Sequence, residues 1–225
     1  MSVETSELVK IGIALAGAVI AYRLGLSAYF RQKEFENVRT RYLDQGLELA
    51  CSHVDYVLGV FRNNWALMLR SLRQYRDADQ LMPFEDFARQ LREVDQSYFQ
   101  LTPVYKIKSL VGSDIFWVAH QKVFSFVGTA NETIKADYGL ALKEMLEHPH
   151  HPAKDEFLKK GLEKALELNQ DAQRYYTLVA ELQGLAEMLE RENLSRDAVQ
   201  TFRDREDVKK VIERVANLFP DRVLE

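Results

Sequence analysis

The sequence predicts an all-α protein: a single N-terminal transmembrane helix followed by a long-helix antiparallel bundle of about five to seven helices. Three observations carry this. One apolar run near the N-terminus holds a single charge, most of the remaining chain repeats apolar residues at three-four spacing, and no alternating blocks are bounded by hairpin turns.

The apolar run is residues 11–30, IGIALAGAVIAYRLGLSAYF. Twenty residues at about 1.5 Å each reach roughly 30 Å, the thickness of a hydrocarbon core. Its one charge, Arg23, would cost about 3 kcal/mol or more at the bilayer centre. It stands two-thirds of the way along, where a long side chain extends its head toward the interface. Tyr22, Tyr29 and Phe30 occupy the place of an interfacial aromatic belt, and Arg31 and Lys33 come after the run while Glu4 and Glu7 precede it. The basic side is expected to be cytoplasmic. This predicts residues 1–30 as tail and anchor in the plasma (inner) membrane, N-terminus outside, and residues 31–225 as a cytoplasmic helical domain. Headgroup contact is assigned to Arg23, Arg31, Lys33, Arg39 and Arg41. A cleaved signal peptide fits less well, since acidic residues precede the run. A buried or interfacial helix over residues 11–22 is the other alternative.

Ala14, Ala18, Ala21, Gly25 and Ala28 recur at steps of four and three, which places them on one stripe of the helix with Arg23 opposite. Small residues let helices approach closely in lipid, so this stripe is the expected membrane association face.

A net charge of -4 excludes a globally basic nucleic-acid binder, and nucleic acid is an unexpected partner. The one cysteine, Cys51, rules out an intramolecular disulfide framework and suits a reducing compartment. Asn131-Glu-Thr and Asn193-Leu-Ser match the glycosylation acceptor pattern, which matters only for the reversed topology.

Downstream of the anchor, residues 31–78 read as one long helix continuing out of the membrane, with Leu43, Leu47, Ala50, Val54, Val57 and Phe61 at heptad spacing and then Trp65, Met68, Leu72 and Tyr75. Pro83 with Glu85 and Asp86 opens a helix expected to reach Ser97. Pro103 opens a further helical turn before Gly112. Ser113 is expected to cap a helix that Gly128 ends, and Thr129 with Glu132 to open the next, to about Glu147. The proline-containing segment HPHHPA then acts as a linker, and Pro152 precedes a helix over residues 154–193 with the clearest periodicity in the chain. Its stripe includes Leu158, Gly161, Ala165, Leu168, Ala172, Tyr175, Leu182 and Leu189, widened by Leu162, Leu166, Tyr176, Leu178 and Leu185 beyond a two-stranded seam. Ser195 is expected to cap one last helix that Pro220 ends.

For chemistry, His148, His150 and His151 with Glu144 and Glu147 form the densest group of potential metal ligands, although the histidines crowd a proline-kinked loop rather than standing a helical turn apart. Arg62, Arg70, Arg73 and Arg76 form a possible polyanion face, with pairing to acidic helices carrying Glu163, Glu167, Glu181, Glu187 and Glu190 as the alternative. Asp77 and Asp79 read as a helix-ending turn. His53 and His120 read as single packing or surface residues. No Gly-rich phosphate loop, nucleophile elbow, HExxH, CxxC or EF-hand loop occurs. No catalytic residue and no cofactor are assigned. The expected function is therefore a membrane-anchored interaction or scaffold protein that self-associates or binds a cytoplasmic partner. The alternatives are a membrane-bound enzyme or metal protein using His148, His150 and His151, and an arginine-face binder of nucleic acid or anionic lipid.

Overall fold

The computed structural model describes residues 3–148, 150, 152–192, 194 and 196–220, with side chains from residue 15 onward except at 196. Among these residues there are seven helical rods and no strand. Helix α1 covers residues 3–78 without interruption, as Val3–Val38, a π-helical stretch Arg39–Glu48, and Leu49–Ala78. The continuity has a simple cause, since the first proline of the chain is Pro83. The heptad residues from Leu43 to Phe61, with Met68, Leu72 and Tyr75, are buried. The helix stops at Asp79, whose left-handed backbone (φ 50°) lets its N–H close on the Tyr75 carbonyl at 2.8 Å.

Helix α2, Phe84–Gln90, is shorter than the expected span to Ser97. The backbone turns extended at Leu91, and residues 91–101 travel back along α1 with only a 3-10 turn at Gln96–Tyr98. The reason lies on α1: Asn64 hydrogen-bonds both backbone groups of Arg92, and the Tyr98 ring stacks on Tyr56 at 3.8 Å. These contacts need an extended chain, and they outweigh the helix propensity of the segment.

Helix α3, Thr102–Val111, starts at Pro103 as expected and ends at Gly112 (φ 69°), a conformation that glycine adopts without strain. It packs on the π-helical stretch of α1, where Gly46 brings the backbone close: a Cβ there would sit 3.5 Å from Lys106 Cβ.

The expected break at Gly128 does not occur. Helix α4 is continuous over residues 115–147, passing through a π-helical stretch at Thr133–Tyr138. Val127 and Ala130 are buried on either side of Gly128, so the apolar stripe continues through a residue whose helix penalty is only about 1 kcal/mol. At its start the Ser113 hydroxyl accepts from the Ile115 N–H at 3.3 Å, although the cap position falls on Asp114, one residue later than expected.

Helix α5, Lys154–Arg191, comes after the linker with Asp155 and Glu156 in its first turn. Gly161, Ala165, Leu168, Ala172, Tyr175, Leu178, Leu182, Leu185 and Leu189 are buried; Leu166 is exposed and does not widen the stripe. The single last helix expected from the sequence is two: α6, Arg196–Phe202, and α7, Glu206–Leu218. They part where Arg205 is extended and its guanidinium grips Asp207 at 2.5 Å and the carboxylate of Glu192. Ser195, the expected cap, lies outside the described residues.

Helix α5 runs antiparallel to α1, since Trp65 Nε1 donates to the Ala165 carbonyl while Cys51 and Asp55 stand beside Gln183. Helix α4, however, runs parallel to α1: Phe61 packs on Phe126 and Asn64 bonds Asn131. The all-helical bundle is as predicted, but it is only partly antiparallel, because residues 91–101 carry the chain back before α4 begins.

Among the described side chains of α1, which begin at Leu15, Val38 is the first that is buried, and those before it are exposed or at most half-buried. Among the described residues no helix is long and apolar enough to cross a membrane. The described side chains begin four residues into the apolar run 11–30.

Candidate functional site

The projecting part of α1 carries large apolar side chains on nearly every side. At 100° per residue Leu15, Val19, Ile20, Tyr22, Leu24, Leu26, Tyr29 and Phe30 spread over most of the circumference, and all are exposed, Leu15 by 62% and Phe30 by 64%. One remaining arc belongs to Ala18, Ala21, Gly25 and Ala28, with nothing within 4 Å of a Cβ at Gly25, and Arg23 and Ser27 stand in the gap opposite it. Ala14 lies before the described side chains. A helix apolar all round is characteristic of a buried or bilayer environment.

Between this section and the bundle stand the basic residues. Arg31, Lys33, Arg39 and Arg41 are all exposed. Lys33 meets Glu36 at 3.3 Å and Arg39 meets Asp44 at 3.6 Å, while Arg41 lies over the Tyr42 ring. Such exposed pairs hold little energy and leave the cations accessible. Arg23 and Arg31 make no ion pair among the described residues.

The arginines of the middle of α1 are exposed as well. Arg76 is engaged by its neighbour Asp77 at 2.7 Å, which holds that carboxyl below the usual range. Arg70 and Arg73 make no ion pair within 4 Å among the described residues and line a shallow groove with Trp65, Leu69 and Asp77, whose carboxyl Arg73 also helps to hold low. Three of the five acidic partners proposed for them are used elsewhere: Glu181 binds Arg214 at 2.6 Å, Glu187 meets Arg191 and Glu167 meets Lys164.

His148 sits just past the last turn of α4 and His150 lies in the connecting turn; His151 lies outside the described residues. Glu147 pairs with Lys143. Among the described residues no three or more His, Cys, Asp or Glu side chains are grouped closely enough to hold a metal. Cys51 is half-buried beside Gln183, and burial, with Asp55 adding, pushes its thiol up.

A buried pair of histidines escapes sequence reasoning. His53 on α1 and His120 on α4 are 5% and 4% exposed. His53 Nδ1 and both ring nitrogens of His120 are buried without a hydrogen bond. The rings sit among aromatics, His53 edge-on to Tyr98 at 5.3 Å and His120 against Phe124 at 4.7 Å. Burial lowers both pKa values; His120 falls to about 4, with the neighbouring His53 adding to the effect. Each histidine is alone on its own helix, so spacing along the chain carries no signal. Only the parallel packing of α1 and α4 brings them together.

A second buried polar pair lies nearer the other end. The Ser71 and Tyr138 hydroxyls are buried and neither reaches hydrogen-bond geometry with a partner. Burial pushes the phenol up to about 12, against a lowering influence from Ser71. Beside Tyr138 is an open cleft of about 400 Å³ with an apolar floor of Met68, Met145, Phe157 and Gly161 and the charged residues Asp137, Glu156, Lys160 and Lys164 in its lining.

No family model matches the chain, and no curated protein or solved structure matches it either.

Proposed function

We propose that this chain is a membrane-tethered helical protein: residues 11–30 lie in the bilayer, and the bundle stands at its cytoplasmic surface as a platform for a partner protein or a second copy. The observation that carries this reading is the exposure of apolar side chains over most of the circumference of α1 from Leu15 to Phe30, interrupted by Arg23 and Ser27. In water this would be an exposed patch far beyond what single surface leucines explain. In lipid it needs no cover, since every backbone group of an α-helix is satisfied internally. The exposed basic residues Arg31, Lys33, Arg39 and Arg41 come next, at the level of the headgroups. The arc of Ala18, Ala21, Gly25 and Ala28 supports close approach of a second membrane helix.

Membrane fractionation with a protease-accessibility assay tests the tether. The expected result is recovery of the full chain in the membrane fraction after alkaline washing, with the bundle cleaved only from the cytoplasmic side. Recovery in the soluble fraction, folded and without detergent, overturns it. Replacing Ala18 and Gly25 with leucine is expected to abolish self-association in detergent without loss of helicity.

A second reading is favoured by Arg70 and Arg73, which share one groove with Trp65, the only carboxylate lining it being Asp77, already held by Arg76. Here the bundle would bind phosphates of anionic lipid. Changing both arginines to glutamine should weaken binding of the chain to anionic vesicles and flatten its salt dependence.

A further inference from the structure

We infer that the outward face of α1 between Glu48 and Arg73 is a docking site for a second copy of this chain, packed antiparallel about a two-fold axis at Gly59. The inference deepens the self-association in the reading above, but the contact belongs to the bundle, so it and the tether fail separately.

This face lies opposite the core. At 100° per residue Glu48, Asp55, Arg62, Arg70 and Arg73 share one strip of the helix, and all five are exposed, while Val57, Phe61, Asn64 and Met68 are buried on the other side. Helix α5 borders the strip where Gln183 stands beside Cys51, and the returning segment borders it where Tyr98 stacks on Tyr56. The exposure of the five side chains shows that neither covers it.

Charge is sorted along the strip. Its first half carries Glu48 and Asp55, with Glu190 of α5 lining the same groove, and its second half carries Arg62, Arg70 and Arg73. None of these six makes an ion pair within 4 Å among the described residues, and the carboxylate in the basic half, Asp77, is held by Arg76. Two copies packed in parallel bring like charges together. Turned end to end with Gly59 over its counterpart, Asp55 faces Arg62 of the second copy, and Glu48 faces Arg70, each pair occurring twice by symmetry. A face complementary to itself selects a second copy over an unrelated partner.

The centre of the strip has room for close approach. Ser52, Gly59 and Ala66 stand seven residues apart along it, so in this register Ser52 meets Ala66 of the second copy. Glycine weakens a helix interior, and nothing in the chain lies within 4 Å of a Cβ at position 59, so packing within one copy gives no reason for it. A strip about 40 Å long and about 10 Å wide presents about 400 Å² on each copy, which makes the contact a reversible one. Because α1 is continuous from the anchor to Ala78, the paired copies carry their anchors at opposite ends, each about 40 Å from the axis. With the tether in place, they stand on facing bilayers.

The test uses the full-length chain in detergent, with Ala18→Leu and Gly25→Leu removing the anchor contact. At the dilution where those changes leave the chain monomeric this small interface is empty, so sedimentation is followed upward through the micromolar range. Dimers are expected there. Asp55→Arg and Arg62→Glu should each weaken dimerisation at least tenfold, and an equimolar mixture of the two should restore it, because the sign of each pair is then exchanged or kept as a whole. In a Cys51→Ala background, Ser52→Cys should form a disulfide with Ala66→Cys when the two chains are mixed and oxidised, and neither should cross-link to itself. A chain monomeric throughout, no restoration in the mixture, or self cross-linking of Ser52→Cys, the mark of parallel pairing, overturns the proposal. So does an Arg62→Glu chain that still dimerises but loses binding to anionic vesicles, which assigns the arginines to lipid. The cross-linking arm alters no charge and decides the matter even where a charge-reversed variant fails to fold.

Discussion

Asn64 clamps Arg92 at two points: its Nδ2 donates to the Arg92 carbonyl at 2.8 Å, and its Oδ1 accepts from the Arg92 N–H at 2.9 Å. The same Nδ2 reaches Asn131 Oδ1 at 3.1 Å, so one side chain that is 1% exposed joins α1, the returning segment and α4. Without this clamp residues 91–101 would have no fixed path along α1. Asn64→Ala leaves buried donors and acceptors unpaired on both neighbours and should destabilise the fold by about 2 kcal/mol or more. Urea unfolding measures the loss, and faster hydrogen exchange of the Arg92 amide should accompany it.

The buried histidines predict an acid-sensitive bundle. The His120 pKa is lowered from 6.5 to about 4 on folding, so between these values the unfolded chain binds the proton and the folded chain does not. Stability is therefore complete above pH 6.5 and is lost as the pH falls toward 4, by about 3 kcal/mol at most from this group. His53, also lowered by burial, acts in the same direction. Unfolding free energies measured from pH 7 to pH 4 should fall less steeply in His120→Leu than in the unaltered chain.

Two glycines of α5 should respond oppositely to alanine. A Cβ at Gly161 would sit 2.7 Å from Leu72 Cδ2, inside the contact between α5 and α1, whereas Gly184 has nothing within 4 Å. Gly184→Ala should stabilise by about 1 kcal/mol through helix propensity. Gly161→Ala gains the same propensity, but overpacking against fully buried Leu72 costs about 1 to 3 kcal/mol, so its net effect should be destabilising. Thermal unfolding of the two variants side by side checks the sign of each.

Tyr138→Phe removes a buried hydroxyl whose approach to Ser71 falls short of hydrogen-bond geometry, and should change stability by less than about 1 kcal/mol. Tyr138→Ala, which also removes ring contacts with Phe87 and Phe157, should cost about 3 to 5 kcal/mol. Chemical denaturation of both variants separates the ring from its hydroxyl.

Cys51 should react slowly with thiol reagents. Burial and the nearby Asp55 carboxylate both disfavour its thiolate, so alkylation at pH 8 should lag well behind that of a free cysteine and approach it once the chain is unfolded.

Much of this architecture is readable from local pattern. Leu43 to Phe61 and Gly161 to Leu189 recur at helical spacing, and these stripes are buried in the core that α1 and α5 share with the other helices. Helix starts at Pro103 and after Pro152 arise from the missing N–H and fixed φ of proline, which act on the chain wherever it lies. The local signals mislead where distant partners compete with them. Residues 91–97 have the composition of a helix, yet Asn64 draws Arg92 into an extended path. Gly128 resembles a stop signal, yet apolar burial on both sides carries α4 through it. Direction is equally hidden, because periodicity records which face of a helix is buried and not whether its neighbour runs parallel. Only the tertiary structure brings His53 near His120, sixty-seven positions apart, since two side chains on separate helices share an environment only after the chain between them has turned back.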